Sequence, residues 1–156
     1  MRICGLQKLT LLDYPDHMAC TIFTGGCNFR CPFCHNGELL DGSAEIIMDE
    51  RDFLSFLSKR KGLLDAVCIS GGEPTLTPGL KELMAAIQAM GYAVKLDTNG
   101  SRPQVLKELV AAGLVDYVAM DIKNSPDEYG KTVGRSKMDL SRIEESIRFL
   151  AKGNVD

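Results

Sequence analysis

A short apolar, β-branched run, then a turn, then a segment of helical period recurs four times between Ala19 and Gly153. This alternation limits what the chain can become more than any other feature. The strands read as "ACTIFT" (Ala19 to Thr24), "DAVCIS", "YAVKLDT" and "DYVAMDI" (Asp116 to Ile122). The helices read as "MDERDFLSFLSKR" (Met48 to Arg60), "TPGLKELMAAIQAM", "SRPQVLKELVAAG" and "DLSRIEESIRFLAKG". Thr77 is expected to cap the second helix with Pro78 in its first turn, and Ser101 to cap the third; Gly91 and Gly113 close them. A polar loop, "KNSPDEYGKTVGRSKM", precedes the last helix, and "NVD" opens a further strand. Such alternation implies an α/β fold of parallel strands joined by right-handed crossovers, as an open doubly wound sheet or as a barrel wall. In either form ligands sit at the C-terminal strand ends, which here carry "TGGC", "SGGEP", "DTNG" and "MDIK".

The 156 residues suit one domain, 1–156, with a real core. A net charge of -3 without a lysine and arginine run gives no electrostatic footprint for nucleic acid and no basic cluster for a membrane surface. Polar residues interrupt "MRICGLQKLTLLDYPD" before an apolar core of signal-peptide length develops, and no apolar run approaches the ~18 residues of a membrane span. A cytoplasmic location is expected. There, cysteines stay reduced, so a cluster of them points to metal or redox chemistry rather than to disulfides.

Three of the six cysteines are clustered, as Cys27-x3-Cys31-x2-Cys34, within "FTGGCNFRCPFCHNGELL". A closed zinc site needs four ligands, and His35, adjacent to Cys34, is an awkward fourth. "CPFCH" also matches the attachment pattern of c-type haem, whose chemistry normally accompanies export. The remaining reading is an iron–sulfur cluster on three thiolates. One iron of a four-iron cube then stays open to a substrate or cofactor, unlike clusters that only transfer electrons on four cysteines.

With an aromatic residue, Phe33, before its last cysteine, "CNFRCPFC" resembles the cluster loop of the radical S-adenosylmethionine (radical SAM) superfamily. "LQKLTLLDYPDHMACTIFTGGCNFRCPFCHNGEL", "SGGEPTL", "LDTNG" and "MDIK", in this order, resemble the glycyl-radical activating enzymes, and among them the activating proteins of anaerobic ribonucleoside-triphosphate reductase. The resemblance implies a partial (β/α) barrel, C-terminally incomplete: four strand–helix units and the start of a fifth strand, against six units in the family barrel. It implies a 4Fe–4S cluster on Cys27, Cys31 and Cys34, whose fourth iron is chelated by the amino and carboxylate groups of S-adenosylmethionine. Phe33 would lie against the adenine. Gly71, Gly72 and Glu73 would present carbonyls and a carboxylate to the cofactor's ammonium group, and Lys123 would counter its carboxylate or ribose hydroxyls. Asp97, Thr98 and Asp121 resemble ligands of a monovalent cation in the related pyruvate formate-lyase activating enzymes.

The activity so implied is reductive cleavage of S-adenosylmethionine, with an electron from flavodoxin or ferredoxin, to make a radical that abstracts hydrogen from a glycine of a partner glycyl-radical enzyme. Anaerobic ribonucleotide reductase is the favoured partner and pyruvate formate-lyase the alternative. An iron–sulfur electron-transfer module and a zinc-binding module are the readings of another class. Cys20, Cys68, Met84 and Met90 read as packing residues. His17 and His35 show no carboxylate partner nearby, which leaves a general-base role without support. Asp13, in the turn "DYPD", reads equally as a capping residue and, by the resemblance, as a contact to the partner's glycine loop.

Overall fold

The computed structural model describes residues 1–41, 43–135 and 138–156. Its strands, in chain order, are β1 (Arg2–Thr10), β2 (Ala19–Thr24), β3 (Met48–Asp49), β4 (Ala66–Gly71), β5 (Ala93–Thr98) and β6 (Tyr117–Met120). The helices are α1 (Glu50–Ser58), α2 (Leu80–Ala89), α3 (Pro103–Ala111), α4 (Pro126–Thr132) and α5 (Ser141–Leu150). One open sheet runs in the order β3-β1-β2-β4-β5-β6. The four expected strands are its parallel members, each paired to the next, as a partial barrel wall requires. Beyond the last helix, Val118 N–H donates to the Asp156 carbonyl at 2.7 Å, but this single bond makes no strand of "NVD".

The sequence reading missed β1. This strand lies antiparallel to β2 and to the two-residue β3, and it extends the sheet on the side away from the crossovers. Register shifts between Ile3 and Gly5 and between Gln7 and Thr10 interrupt the pairing. Such bulges break the two-residue alternation by which a strand is recognised.

The core lies on one face of the sheet. Cys20 and Ile22 of β2, Val67 and Ile69 of β4, and Val94 and Leu96 of β5 meet Phe53 and Leu57 of α1, Leu83, Met84 and Ile87 of α2, and Leu106 and Leu109 of α3. Burying each of these larger side chains stabilises the fold by about 1.5–3 kcal/mol. Burial also pushes the Cys20 thiol up to about 12, as befits a packing residue. Met84 is fully buried and Met90 packs at the margin. The opposite face carries small residues, Ala19, Ala66 and Cys68, with Tyr14, Ala93 and Tyr117 against them.

Helix ends follow local chemistry, with two corrections. Asp49 caps α1 by accepting the Asp52 N–H at 2.9 Å, and Gly91 and Gly113 close α2 and α3 at φ 87 and 65. Thr77 and Pro78 do not start α2. The chain first makes a 3-10 turn, Pro74–Leu76, which leaves them in the connector, and α2 begins after Gly79 at φ 84. Nor does Ser101 cap α3: its hydroxyl accepts a hydrogen bond from Asn28 Nδ2 at 2.8 Å, and the helix begins at Pro103. The polar loop over 123–138 contains α4, whose Ser125-Pro126-Asp127-Glu128 start is a legible signal; positions 136 and 137 of that loop lie outside the described residues. Among the described residues no helix is long and apolar enough to cross a membrane.

The buried Tyr92 hydroxyl donates to the Leu57 carbonyl at 2.7 Å and ties the start of β5 to the end of α1. Tyr92→Phe removes this bond while the carbonyl keeps the Arg60 N–H at 2.9 Å, at a cost of about 0.5–1.5 kcal/mol, which thermal denaturation would read as a Tm lower by roughly 1–6 °C.

Candidate cofactor site

The loop that follows β2 leaves the sheet through Gly25 and Gly26 and closes on itself. Gly26 N–H donates to the Leu39 carbonyl at 2.6 Å and Cys27 N–H to the Leu40 carbonyl at 3.0 Å. Two further bonds zip it to the loop after β4: Gly72 N–H to the Thr24 carbonyl at 2.9 Å, and Glu73 N–H to the Gly26 carbonyl at 2.8 Å. This approach requires glycine. A Cβ on Gly72 would stand 2.7 Å from the Gly26 carbonyl carbon, and Gly71 holds φ 122 with its own Cβ position against the backbone of Phe23 and Thr24.

Glu73 fixes the third loop. It is 1% exposed. One carboxylate oxygen accepts from Thr75 N–H at 3.1 Å, from the Thr75 hydroxyl and from the Thr98 hydroxyl at 2.7 Å; the other accepts from Asn99 N–H at 2.7 Å. The sequence reading puts this carboxylate at the rim, offered to a ligand. In the structure the residue lines the cavity while its oxygens are engaged by donors from the turn at Pro74 and from Thr98 and Asn99.

The expected site residues come together. Cys27, Cys31, Cys34, Phe33, Gly71, Gly72, Glu73, Asp97, Thr98, Asp121 and Lys123 all line one cavity of about 300 Å³ at the C-terminal ends of β2, β4, β5 and β6. Among the described residues no three His, Cys, Asp or Glu side chains converge tightly enough to hold a single metal ion; the three thiols are spread around the cavity wall. Phe33 stands at the lip, 53% exposed. His35 lines the cavity too, whereas His17 lies outside it, 3.1 Å from Asp65 Oδ1. That partner corrects the expectation of none; it is 48 positions away and comes near only through the fold. Asp13 caps no helix: its carboxylate accepts the Thr21 hydroxyl at 2.5 Å and its carbonyl the Cys68 thiol at 3.3 Å.

Burial raises the thiols of Cys27 and Cys31 above their ordinary range, against the lowering influence of the Phe29 N–H at Cys27 and the Lys123 ammonium at Cys31. A soft metal would therefore have to displace protons on binding. Phe29 N–H lies 3.3 Å from Cys27 Sγ, a bond of the kind that tunes sulfur ligands. The donor set fits an iron–sulfur group: three sulfur ligands around a pocket, one of them hydrogen-bonded, with no fourth cysteine in its wall.

Sequence reasoning missed the supports of this loop. Asn99 Nδ2 donates to Asn28 Oδ1 at 2.9 Å, the Arg135 guanidinium donates to the Asn28 carbonyl, and Arg30 N–H to the Val133 carbonyl at 2.9 Å. Phe29 packs with Tyr129, Val133 and Ile143 of the segment around α4 and α5. Asn28, Phe29 and Arg30, inside "CNFRCPFC", and Asn99, inside "DTNG", stood in motifs already singled out, but without a role.

Residues 21–156 match the family model described as the Radical SAM superfamily. A Methanocaldococcus jannaschii protein named as a glycyl-radical enzyme activating enzyme is 38% identical over 93% of this chain and 59% of its own length. A Thermococcus kodakarensis protein named as a GTP 3',8-cyclase is 32% identical over 82% of this chain and 43% of its own. The chain thus spans about half the length of these curated relatives. Among solved structures, QueE from Escherichia coli shares the fold at a TM-score of 0.57 and 15% identity, over 99% of this chain and 91% of that one.

Two substitutions test the framework. Glu73→Gln would set an amide N–H₂ against backbone and hydroxyl donors at a cost of about 1–3 kcal/mol, and Gly72→Ala would overpack the loop contact by a similar amount. Gly62→Ala, at φ 81 with open space around it, reports conformational strain alone, whereas Gly72 lies outside the positive-φ region and its substitution reports collision alone. Denaturant melts of the three variants would separate collision from strain.

Proposed function

The chain belongs to the radical SAM superfamily, and we propose that, as one radical SAM core over 1–156, it is a glycyl-radical enzyme activating enzyme serving anaerobic ribonucleotide reductase in the cytoplasm. The observation that carries this reading is the convergence of three thiols with the "SGGEP", "DTNG" and "MDIK" loops on one cavity. The M. jannaschii relative supports the activating-enzyme class, at higher identity and coverage than the cyclase. The choice of ribonucleotide reductase over pyruvate formate-lyase rests on the sequence resemblance.

The radical SAM family uses a 4Fe–4S cluster and S-adenosylmethionine, which together supply, on one-electron reduction, the radical that takes hydrogen from carbon. In this chain Cys27, Cys31 and Cys34 would hold the cluster, and the Phe29 N–H on Cys27 would bias its electronics. Gly71 and Gly72 let the loop after β4 lie against the cysteine loop, and its backbone in the cavity wall would meet the ammonium group of S-adenosylmethionine. Glu73 would act through position, holding the loops that meet the cofactor rather than touching it. Phe33 offers an exposed flat apolar ring to the adenine, and Lys123 one ammonium to a carboxylate or ribose hydroxyl. The electron would come from flavodoxin or ferredoxin.

Anaerobic reconstitution with iron and sulfide, then dithionite and S-adenosylmethionine, gives the test. The expected outcome is 5'-deoxyadenosine and, with the reductase added, a glycyl radical by electron paramagnetic resonance. Cys31→Ala would lower product by more than about 100-fold, beyond the 10–100-fold loss typical of outer-shell partners, while keeping its Tm within a few degrees. A cluster spectrum without product would favour an electron-transfer module; bound zinc without iron would overturn the activase; a radical on pyruvate formate-lyase alone would reassign the partner.

A further inference from the structure

The carboxylates in the cavity wall already have cations. Lys95, on β5, is 7% exposed, and its ammonium pairs with Asp97 two residues along the same face of the strand. Its strand register sets it beside Tyr117 of β6, and Nζ stands 5.9 Å from the centre of that ring. Lys123 Nζ donates to Asp121 Oδ2 at 2.6 Å. Thr98 is also committed: its hydroxyl donates to Glu73 at 2.7 Å and its carbonyl accepts Asp121 N–H at 2.9 Å. The three residues that the resemblance would assign to a monovalent cation, Asp97, Thr98 and Asp121, thus each have a partner within the chain, and both carboxylates already face an ammonium group. They do not fit a bound metal ion as well.

We propose that Lys95 is a built-in counter-ion, its ammonium standing where relatives would bind a free monovalent cation, so that this site works without sodium or potassium. The buried ammonium faces the Asp97 carboxylate, which is the more exposed of the two and lines the cavity. Lys95 is therefore a positioning residue. It holds the charge and orientation of Asp97, and Asp97 meets whatever enters the cavity. The setting is taken from the activase reading, but the test below reads ion binding to the protein itself, so the two can fail separately.

The full chain is compared in potassium chloride, sodium chloride and tetramethylammonium chloride at equal ionic strength, by thermal denaturation and by the sodium NMR line width. Wild-type protein is expected to melt at one temperature in all three salts and to leave the sodium line unbroadened. Lys95→Met exposes an uncompensated Asp97 and should gain an ion site, melting about 4 °C higher in potassium or sodium than in tetramethylammonium at roughly ten times the dissociation constant. The double variant Lys95→Met/Asp97→Asn removes both charges and should lose that response. If Lys95→Met does not fold, the wild type decides: broadening of the sodium line that Asp97→Asn abolishes would overturn the proposal, and a flat response would support it. A folded Lys95→Met that ignores the salt would overturn it too. Where product formation is measurable, wild-type turnover should be the same in all three salts within about twofold, and Lys95→Met turnover should fall in tetramethylammonium and recover in potassium.

Discussion

One buried carboxylate holds the site together. Glu73 receives two backbone N–H groups and two hydroxyls from the turn after β4 and the loop after β5. Its own N–H reaches back to Gly26 in the cysteine loop. Three connections that share no secondary structure are thereby locked to one residue, two through its carboxylate and the third through its backbone. A buried carboxylate costs several kcal/mol unless its oxygens are filled, and four donors fill these. The cavity beside it inherits that rigidity, which a site that must hold a cofactor to a fraction of an ångström needs.

Much of this was legible. The four parallel strands follow from β-branched runs, and the shared rim follows from the rule that strand C-termini gather ligand loops. What failed were features set by partners far away in sequence. β1 carries two register breaks, so no alternation announces it. Thr77 and Ser101 look like caps because their residue type favours caps, yet the turn from Pro74 displaces one and Asn28 engages the other. Glu73 looked like a ligand because "SGGEP" stands at the rim and the resemblance gives it to the cofactor. Nothing local tells that the Thr98 hydroxyl and Asn99 N–H, about 25 residues on, point at it. The candidate site was more legible than the fold's details because its residues sit in short motifs, whereas two of their supports, Arg135 and Tyr129, sit outside any, and Asn28 sits in one without signalling its role.

The cysteine loop is supported from both sides. On one side glycine zips it to the loop after β4; on the other, Phe29 is buried with Tyr129, Val133 and Ile143. Packing sets where the loop lies, and hydrogen bonds set how Cys27 is turned. The thiols remain half-buried, open to a ligand yet screened from bulk water. That balance suits a group that must be gripped firmly while one of its faces stays free.

The alanines and cysteine on the second face of the sheet have a consequence for evolution. Ala19, Ala66 and Cys68 are fully buried in one cluster with Tyr14, and Ala93 and Tyr117 pack against it. Enlarging one of those small side chains would press on the tyrosine with no slack to take up the volume. Change on this face is therefore expected in matched pairs, one residue growing as its neighbour shrinks.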